Sequence, residues 1–415
     1  MTVDSPLFDR ISKRIDSYRE QMITLQVGLT AIPALGPENG GDGELEKAVF
    51  LESFLRDAGF GDIARCDAPD SRVSSGIRPN LIARLPGNNP GRTVWILTHT
   101  DIVPPGESGL WEGDPYGAFV RDGRIYGRGT EDNQQDLVAS LFAAKAFLDE
   151  GVSPESGVAL AFVADEETAS VYGLPHVLRS MRSVFRTTDW ILVPDFGNRE
   201  GTLIEVAEKS LLWLKIRTRG KQCHASTPGE GINAFVAASH LVVRLRELYR
   251  RYPLSDPVFV PPESTFEATR KEANIPNVNT VPGDDVFYLD CRILPAYPVA
   301  EVKETIREIA AGVEKEFGVS VEISPVQEHQ APEATAPDAP AVRALKSALK
   351  KVYGIEGRPT GIGGGTVAAF FRREGLPAVV WSKTNNTFHQ ANENCIIDNM
   401  MGNAKVFAHL FLQKA

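Results

Sequence analysis

Two histidines and several carboxylates stand where four apolar runs end. The run TVWILT closes in His99-Thr100-Asp101, VALAFVA in Asp165-Glu166-Glu167, and WILVP in Asp195, while His389 follows PAVVWS and a short polar loop. Short apolar runs between turn signals read as buried strands. In open α/β sheets ligands bind outside the carboxyl ends of the strands, so these groups can converge on one crevice. Asp132 opens a helix after GRGTE and is free to join them. His99 and Asp101 are two residues apart on an extended segment and so point to one face. That suits a metal-ligating imidazole with a carboxylate fixing its tautomer through the other ring nitrogen. Glu166 and Glu167 are adjacent and diverge at a strand end, so one can hold a metal while the other addresses the water on it. Two histidines and three carboxylates form a nitrogen and oxygen set without thiolate, which suits an open catalytic zinc site better than a closed structural one. The two oxygens of Asp132 can bridge a metal pair about 3.5–4 Å apart.

Each signal alone has a plainer explanation, since a single His or Asp at a strand end is usually a hydrogen-bonded structural group. The full set in order is what argues for metal. His176, His240, His329 and His409 lack carboxylate-rich strand-end contexts and are assigned to surface or core. The segment GIGGGT at 361–366 has no lysine after its glycines, so it reads as a tight turn or a backbone approach to a ligand rather than a phosphate loop.

The elements that must position these groups follow α/β grammar. Helices are expected over 7–31, 43–58, 132–150 and 173–182, and strands over 80–85, 93–98, 158–164, 189–193 and 378–382. DGRIYGRG at 122–129 reads as a hairpin leading into the helix at 132. Strands alternating with helices predict an α/β domain, a mixed sheet covered by helices on both faces. Between about 210 and 327 the pattern becomes strand 210–218, helix 232–251, strand 286–294, helix 299–317 and strand 319–324, with room for another strand near 275–281. This order resembles a ferredoxin-like α+β unit. It reads as an insertion, because α/β grammar resumes after the Pro-rich APEATAPDAP at 331–340. The expected domains are therefore a discontinuous catalytic one, 1–209 with 328–415, and an inserted one, 210–327.

Composition narrows the function classes. With 415 residues, two domains are the default expectation. A formal charge of −10 argues against nucleic-acid or anionic-membrane partners, which need a basic surface. Cys66, Cys223, Cys291 and Cys395 form no CxxC pair. No disulfide framework is expected, and the reading is a cytoplasmic protein. The N-terminus is charged and amphipathic, unlike a signal peptide, and no apolar run reaches membrane-spanning length.

HTD at 99–101, YGRGTEDNQQ at 126–135, ADEET at 164–168, PD at 194–195, GKQCHAS at 220–226 and FHQANE at 388–393 resemble the acetylornithine deacetylase, succinyl-diaminopimelate desuccinylase, carboxypeptidase and aminoacylase family. The likeness runs from about residue 90 to the C-terminus, and six spaced motifs agree in order. It implies a zinc-exopeptidase-like catalytic domain with an inserted lid and dimerisation domain. It further implies two Zn2+ ions, with Co2+ or Mn2+ as alternatives, one held by His99, Asp132 and Asp195 and the other by Asp132, Glu167 and His389. Glu166 would be the general base for a zinc-activated water, Asp101 the partner of His99, and His224 an oxyanion donor, often toward a partner subunit. Arg292 in LDCRI matches the arginine that grips a substrate carboxylate, and Asn277 or Asn279, with Gly363, Gly364 and Thr366 of the glycine-rich loop, are candidates for the same pocket. The implied activity is hydrolysis of an amide in an N-acyl amino acid or short peptide bearing a free carboxylate, with a homodimer formed through the lid. The chain departs from the pattern at GGGTVAAFF, where an acidic residue and an arginine commonly follow the Gly-Thr. It also reads Gln-Gln-Asp after Asn133 in place of Met-Lys-Gly. Both departures bear on specificity and spare the metal set.

Rival readings are a dipeptidase or carboxypeptidase of the same family, a two-metal phosphodiesterase, which would want additional Arg or Lys near the strand ends with Arg128 one candidate, and a non-catalytic binding protein, which would lack a ligand or the base.

Overall fold

The computed structural model describes residues 3–168 and 170–414. The chain divides into two compact units, one of Met1–Val206, Thr335–Pro359 and Thr366–Ala415, the other of Ala207–Ala334 and Thr360–Gly365.

The first unit is built on an eight-stranded sheet. In chain order its strands are β1 (Asp62–Arg65), β2 (Leu81–Leu85), β3 (Asn89–His99), β4 (Ser156–Val163), β5 (Trp190–Asn198), β6 (Leu203–Glu208), β7 (Arg358–Ile362) and β8 (Ala378–Lys383). Across the sheet they lie in the order β1-β2-β4-β3-β5-β8-β6-β7. The four central strands β4, β3, β5 and β8 run parallel, while β2 pairs antiparallel with β4, and β6 with β8. Parallel strands are covered on both faces, which explains near-continuous apolar sequences such as VALAFV and AVVW. Helices α1 (Ser5–Asp16), α2 (Arg19–Thr30), α3 (Leu45–Asp57), α4 (Gln135–Asp149), α5 (Leu174–Met181), α6 (Pro340–Tyr353), α7 (Ala368–Arg373) and α8 (Ile397–Leu412) complete the unit. Trp95, Leu97, Ala161, Ile191 and Val380 pack with Leu174, Val177 and Phe371 of α5 and α7. Helices α4 and α8 cover the opposite face.

The expected helix 7–31 is two helices, because Ser17 turns its hydroxyl onto the Arg14 carbonyl and so competes with the helical ladder. The break lets the buried Tyr18 reach Asp149 with a 2.5 Å hydrogen bond. The 122–129 hairpin is present as paired strands Phe119–Arg121 and Arg124–Tyr126. Asp122 and Gly123 between them both have positive φ, 51° and 72°, as a tight hairpin turn of this twist requires. Asn394–Ile396 adds a third strand alongside Arg124–Tyr126. The helix expected from 132 begins only at Gln135, and Asp132 and Asn133 before it are non-helical.

The second unit is a four-stranded antiparallel sheet in the order Thr265–Lys271, Asp284–Ile293, Ser210–Arg219, Ser320–His329. Helices Ala234–Leu245 and Val299–Phe317 pack on it through Leu241, Leu245, Val302 and Ile306 against Leu214, Ile216 and Leu289. The β-α-β-β-α-β order is that of a ferredoxin-like unit. The strand sought near 275–281 lies earlier, at Thr265–Lys271. Its charged, mostly exposed sequence FEATRK has no alternation to read, as befits an edge. Only Thr280–Val281 is extended in the expected stretch, paired with Cys223–His224. The helix 232–251 is interrupted after Leu245. Among the described residues, no helix is long and apolar enough to cross a membrane.

His409 of α8 lies in the core, edge-on to Phe8 with ring centroids 5.0 Å apart, its Nδ1 2.9 Å from the Gln413 amide. Burial pushes its pKa down to about 4, with Lys351 adding to the shift. The folded protein therefore holds it neutral where the unfolded chain, at about 6.5, takes up a proton. This contribution is complete above about pH 6.5 and is lost as pH falls toward 4. Urea unfolding at pH 5 and pH 7.5 should show a pH-dependent loss that His409→Phe reduces by about 1–2 kcal/mol. Parallel pH profiles for the two proteins would remove His409 as a source of acid sensitivity.

Candidate metal centre

The centre is assembled at the carboxyl ends of the parallel strands. His99 ends β3 opposite Val163 of β4. Asp195 lies in β5 where the ladder to β8 slips: Val193 pairs with Val380 but Gly197 with Ser382. Pro194, which has no N–H, sits in that bulge, and bulges re-aim side chains. Glu166 and Glu167 follow β4 through Asp165, whose φ is 59°. Asp101 holds their backbone, its Oδ1 accepting from Glu166 N–H at 3.0 Å and its Oδ2 from Glu167 N–H at 2.9 Å.

The side chains meet in two groups of three that share Asp132, namely His99, Asp132 and Asp195, and Asp132, Glu167 and His389, with ligand atoms within 4.8 Å of one another. His99 Nε2 is 3.1 Å from Asp132 Oδ1 and 3.4 Å from Asp195 Oδ1. His389 Nε2 is 3.0 Å from Asp132 Oδ2 and 3.2 Å from Glu167 Oε2. Each histidine thus faces a different oxygen of one aspartate. His99 Nδ1 lies 3.0 Å from the Asp101 carbonyl and 3.4 Å from Asp101 Oδ1. With the ring proton assigned there, the Nε2 lone pair points into the centre.

The donor set fits divalent cations. It is all nitrogen and oxygen, it leaves open directions, and Glu167 Oε1 is buried with no hydrogen-bond partner among the described residues. Crowding of negative charge shows in the protonation equilibria. Burial, with Asp195 and Glu167 nearby, holds the Glu166 carboxyl well above its usual range. Burial and Asp132 push Glu167 up to about 7. Hydrogen bonds to Asp132 and Glu167 raise His389 to about 10. Burial works against a charged His99, but the Asp101, Asp132 and Asp195 carboxylates outweigh it. Cations between these groups would relieve that repulsion.

Several buried groups at the centre escaped the sequence reading. Asn133 links two candidate ligands, its Oδ1 accepting from His99 N–H at 3.2 Å and its Nδ2 donating to Asp195 at 2.9 Å. Glu44 accepts from Asp165 N–H at 3.2 Å and pairs with the buried Arg78. Glu131 and Glu393 hold the loops on either side of Asp132 and His389. In the sequence these acids look like solvated charges, and no spacing distinguishes them. Arg128, one candidate for the cation a phosphodiesterase would need, is buried and bonded to Glu393 Oε2 at 2.6 Å, with its guanidinium over the Trp111 ring. It is a structural group rather than a phosphate ligand.

The other expected site residues lie in the second unit, apart from Thr366. His224 is exposed, and its Nδ1 accepts from the Ser226 N–H at 3.1 Å, which leaves the ring proton on Nε2. Arg292 binds Asp290 through Nε and Nη2 at 2.7 and 3.0 Å and donates from Nη1 to the Gly363 carbonyl at 2.6 Å. Asn277 and Asn279 are exposed, and Asn277 lines a cavity of about 570 Å³ with Asn274 and Lys271. Gly364 has nothing near where a side chain would stand. Thr366 belongs to the first unit, where its hydroxyl accepts from Ala368 N–H.

Comparison with known proteins agrees with this architecture. An uncharacterized metallohydrolase of Methanococcus maripaludis is 39% identical over 413 residues, covering 94% of this chain and 98% of its own. A succinyl-diaminopimelate desuccinylase of Cereibacter sphaeroides is 28% identical over 375 residues, covering 89% and 93%. The crystal structure of human carnosine dipeptidase 1 superposes with a TM-score of 0.70 at 18% identity, covering 99% of each chain. Residues 95–413 match the profile of peptidase family M20/M25/M40. With that match, and two candidate ligand triads sharing one aspartate, the chain belongs to this peptidase family and is a metallohydrolase.

Proposed function

We propose that this metallohydrolase cleaves the amide of an N-acyl amino acid or short peptide bearing a free carboxylate, in the manner of a deacylase or desuccinylase, with two Zn2+ ions as cofactors. The observation that carries the reading is the sharing of Asp132 between His99 and His389 beside a glutamate that is left over. His99, Asp132 and Asp195 would hold one ion, and Asp132, Glu167 and His389 the other, with Co2+ or Mn2+ able to use the same donors. A bound pair supplies Lewis acidity, polarising the carbonyl and bringing the pKa of water from 15.7 toward about 7. Glu166, whose carboxylate makes no hydrogen bond among the described residues, accepts the proton of the attacking water and returns it to the departing nitrogen. Asp101 keeps the His99 ring in its ligating tautomer and holds the Glu166 and Glu167 backbone. His224, protonated at Nε2, is assigned the oxyanion and Arg292 the substrate carboxylate, an assignment that follows the family resemblance. Asn277, Asn279, Gly363, Gly364 and Thr366 are assigned to the same substrate pocket. A desuccinylase among the relatives supports the N-acyl reading, and a dipeptidase among the solved structures keeps peptides as the second reading.

Residues 210–327 are proposed as the lid and dimerisation domain. Its helix Ala234–Leu245 exposes Phe235, Val236 and Val243, and the neighbouring strand Thr265–Lys271 is a sheet edge. The free cysteines fit a cytoplasmic location, which cell fractionation would check.

Metal analysis of purified protein should find two divalent ions per chain, and Asp132→Asn should weaken both sites. Retention of two tightly held ions by that variant would exclude Asp132 as the bridge. With N-succinyl, N-acetyl and dipeptide substrates, each with and without its α-carboxylate, turnover should require the carboxylate. Glu166→Gln should lower kcat by about 10²–10⁴-fold while keeping the metal content, and parent-rate turnover would eliminate it as the base. In sedimentation velocity the protein should run as a dimer and Val243→Glu as a monomer. A monomeric parent would end the dimer assignment.

A further inference from the structure

The two halves of the centre are fixed in different ways. His99 and Asp195 stand on β3 and β5, each three residues past the last pair, Ile96 with Leu192, of the parallel ladder between those strands, so neighbouring strands carry both. Asp132 and His389 stand on neither strand nor helix. Asp132 lies in the non-helical stretch before α4. His389 has φ 58° in the loop after β8, with its side chain 54% exposed. No backbone ladder joins these two residues, yet their ligand atoms are 3.0 Å apart.

Two carboxylates exchanged between the loops supply the missing constraint. Glu131, beside Asp132, reaches into the His389 loop. Its Oε1 accepts from Asn385 N–H, and its Oε2 accepts from the N–H and hydroxyl of Thr387, both at 2.5 Å. Glu393, four residues past His389, reaches back. Its Oε1 accepts from Glu131 N–H at 2.9 Å and Asp132 N–H at 3.0 Å, and its Oε2 from Gly129 N–H at 3.1 Å and Arg128 Nη1 at 2.6 Å. Both carboxylates are buried, at 1% and 0% exposure. The adjoining pairing of Asn394 with Tyr126 ties the ends of the same two segments. Apolar contacts could hold two loops together. Charge-assisted hydrogen bonds also fix the direction of each N–H, and with it the orientation of the next side chain.

We propose that Glu131 and Glu393 are positioning residues that form a reciprocal brace. The brace sets the separation of Asp132 and His389, and hence the cation affinity of the Asp132–Glu167–His389 subsite. The subsite on β3 and β5 shares Asp132 but takes His99 and Asp195 from those strands, so it depends on the brace through one ligand only. The inference rests on the two-cation reading above.

The test is calorimetric and spectroscopic titration of metal-free full-length protein with Co2+, before and after Glu131→Gln and Glu393→Gln. These substitutions keep side-chain volume but turn an amide NH2 toward backbone N–H groups. The parent should take up two equivalents. Each variant should bind the second about 10–100-fold more weakly and the first only slightly more weakly, with kcat restored by added metal and KM unchanged. A loss of charge alone would weaken both equivalents to a similar extent, because Asp132 borders both subsites, and that result overturns the brace. So does parent-like binding of both. If the glutamine variants do not fold, Thr387→Val removes one donor to Glu131 and decides the matter, an unchanged second equivalent counting against the proposal. A parent that binds fewer than two equivalents refutes the two-cation reading itself, a failure distinct from that of the brace.

Discussion

Five carboxylates, those of Asp101, Asp132, Glu166, Glu167 and Asp195, are gathered at one end of a sheet, and the rest of the first unit has to tolerate their repulsion. Like charges this close disfavour one another's ionised forms, as the raised Glu166 and Glu167 carboxyls show. Within the protein the opposing charge comes from two sources. One is backbone N–H groups, which Asp101, Glu44, Glu131 and Glu393 collect from the loops carrying the ligands. The other is a set of buried cations set back from the crevice. Arg78 pairs with Glu44 and Arg128 with Glu393. Lys47 is pulled by burial to about 8 against the carboxylates of Asp101, Glu44 and Glu393. The ion pairs of Asp132, Asp195 and Glu167 are with His99 and His389, fellow candidate ligands, rather than with these set-back cations.

The sheet supplies the first level of order. Four parallel strands end on the same edge, so each following loop begins at a defined point. Local irregularities then aim the side chains: the bulge at Asp195, and the left-handed backbone at Asp165 and His389. Left-handed conformations at non-glycine residues carry a strain of order 1–3 kcal/mol each, which the loop hydrogen bonds offset. For Asp165 these include the bonds of its carboxylate to Tyr172 N–H and Thr168.

This division explains what the sequence disclosed. Strand-end ligands were legible because apolar runs covered on both faces stop abruptly at His99, Glu166 and Asp195, and composition registers that change of environment. The parallel core was legible for the same reason. Edge elements were not. Strand Thr265–Lys271 carries Glu267, Arg270 and Lys271 on an exposed edge, and β7 contains Pro359 and Gly361, residues that argue against a strand. The bracing glutamates were not legible either, because Glu44, Glu131 and Glu393 have the residue type of a solvated surface and become buried only through partners far away in the chain. Glu393 lies 262 residues from the Glu131 backbone it holds. Arg128 misled in the same way, since a cation beside a metal motif looks available until its buried partner is seen.

The start of α4 shows why a regular element could not have served. A helix beginning at Asp132, as the sequence leads one to expect, would project its side chain along the helix surface with the 3.6-residue period. It would also turn the Asn133 side chain about 100° away. The observed non-helical backbone at both residues lets the Asp132 oxygens divide between His99 and His389. Asn133 meanwhile joins the end of β3 to Asp195 on β5. Delaying the helix by three residues converts one loop into the junction of every ligand-bearing segment, and α4, buried along most of its length, anchors that junction to the core.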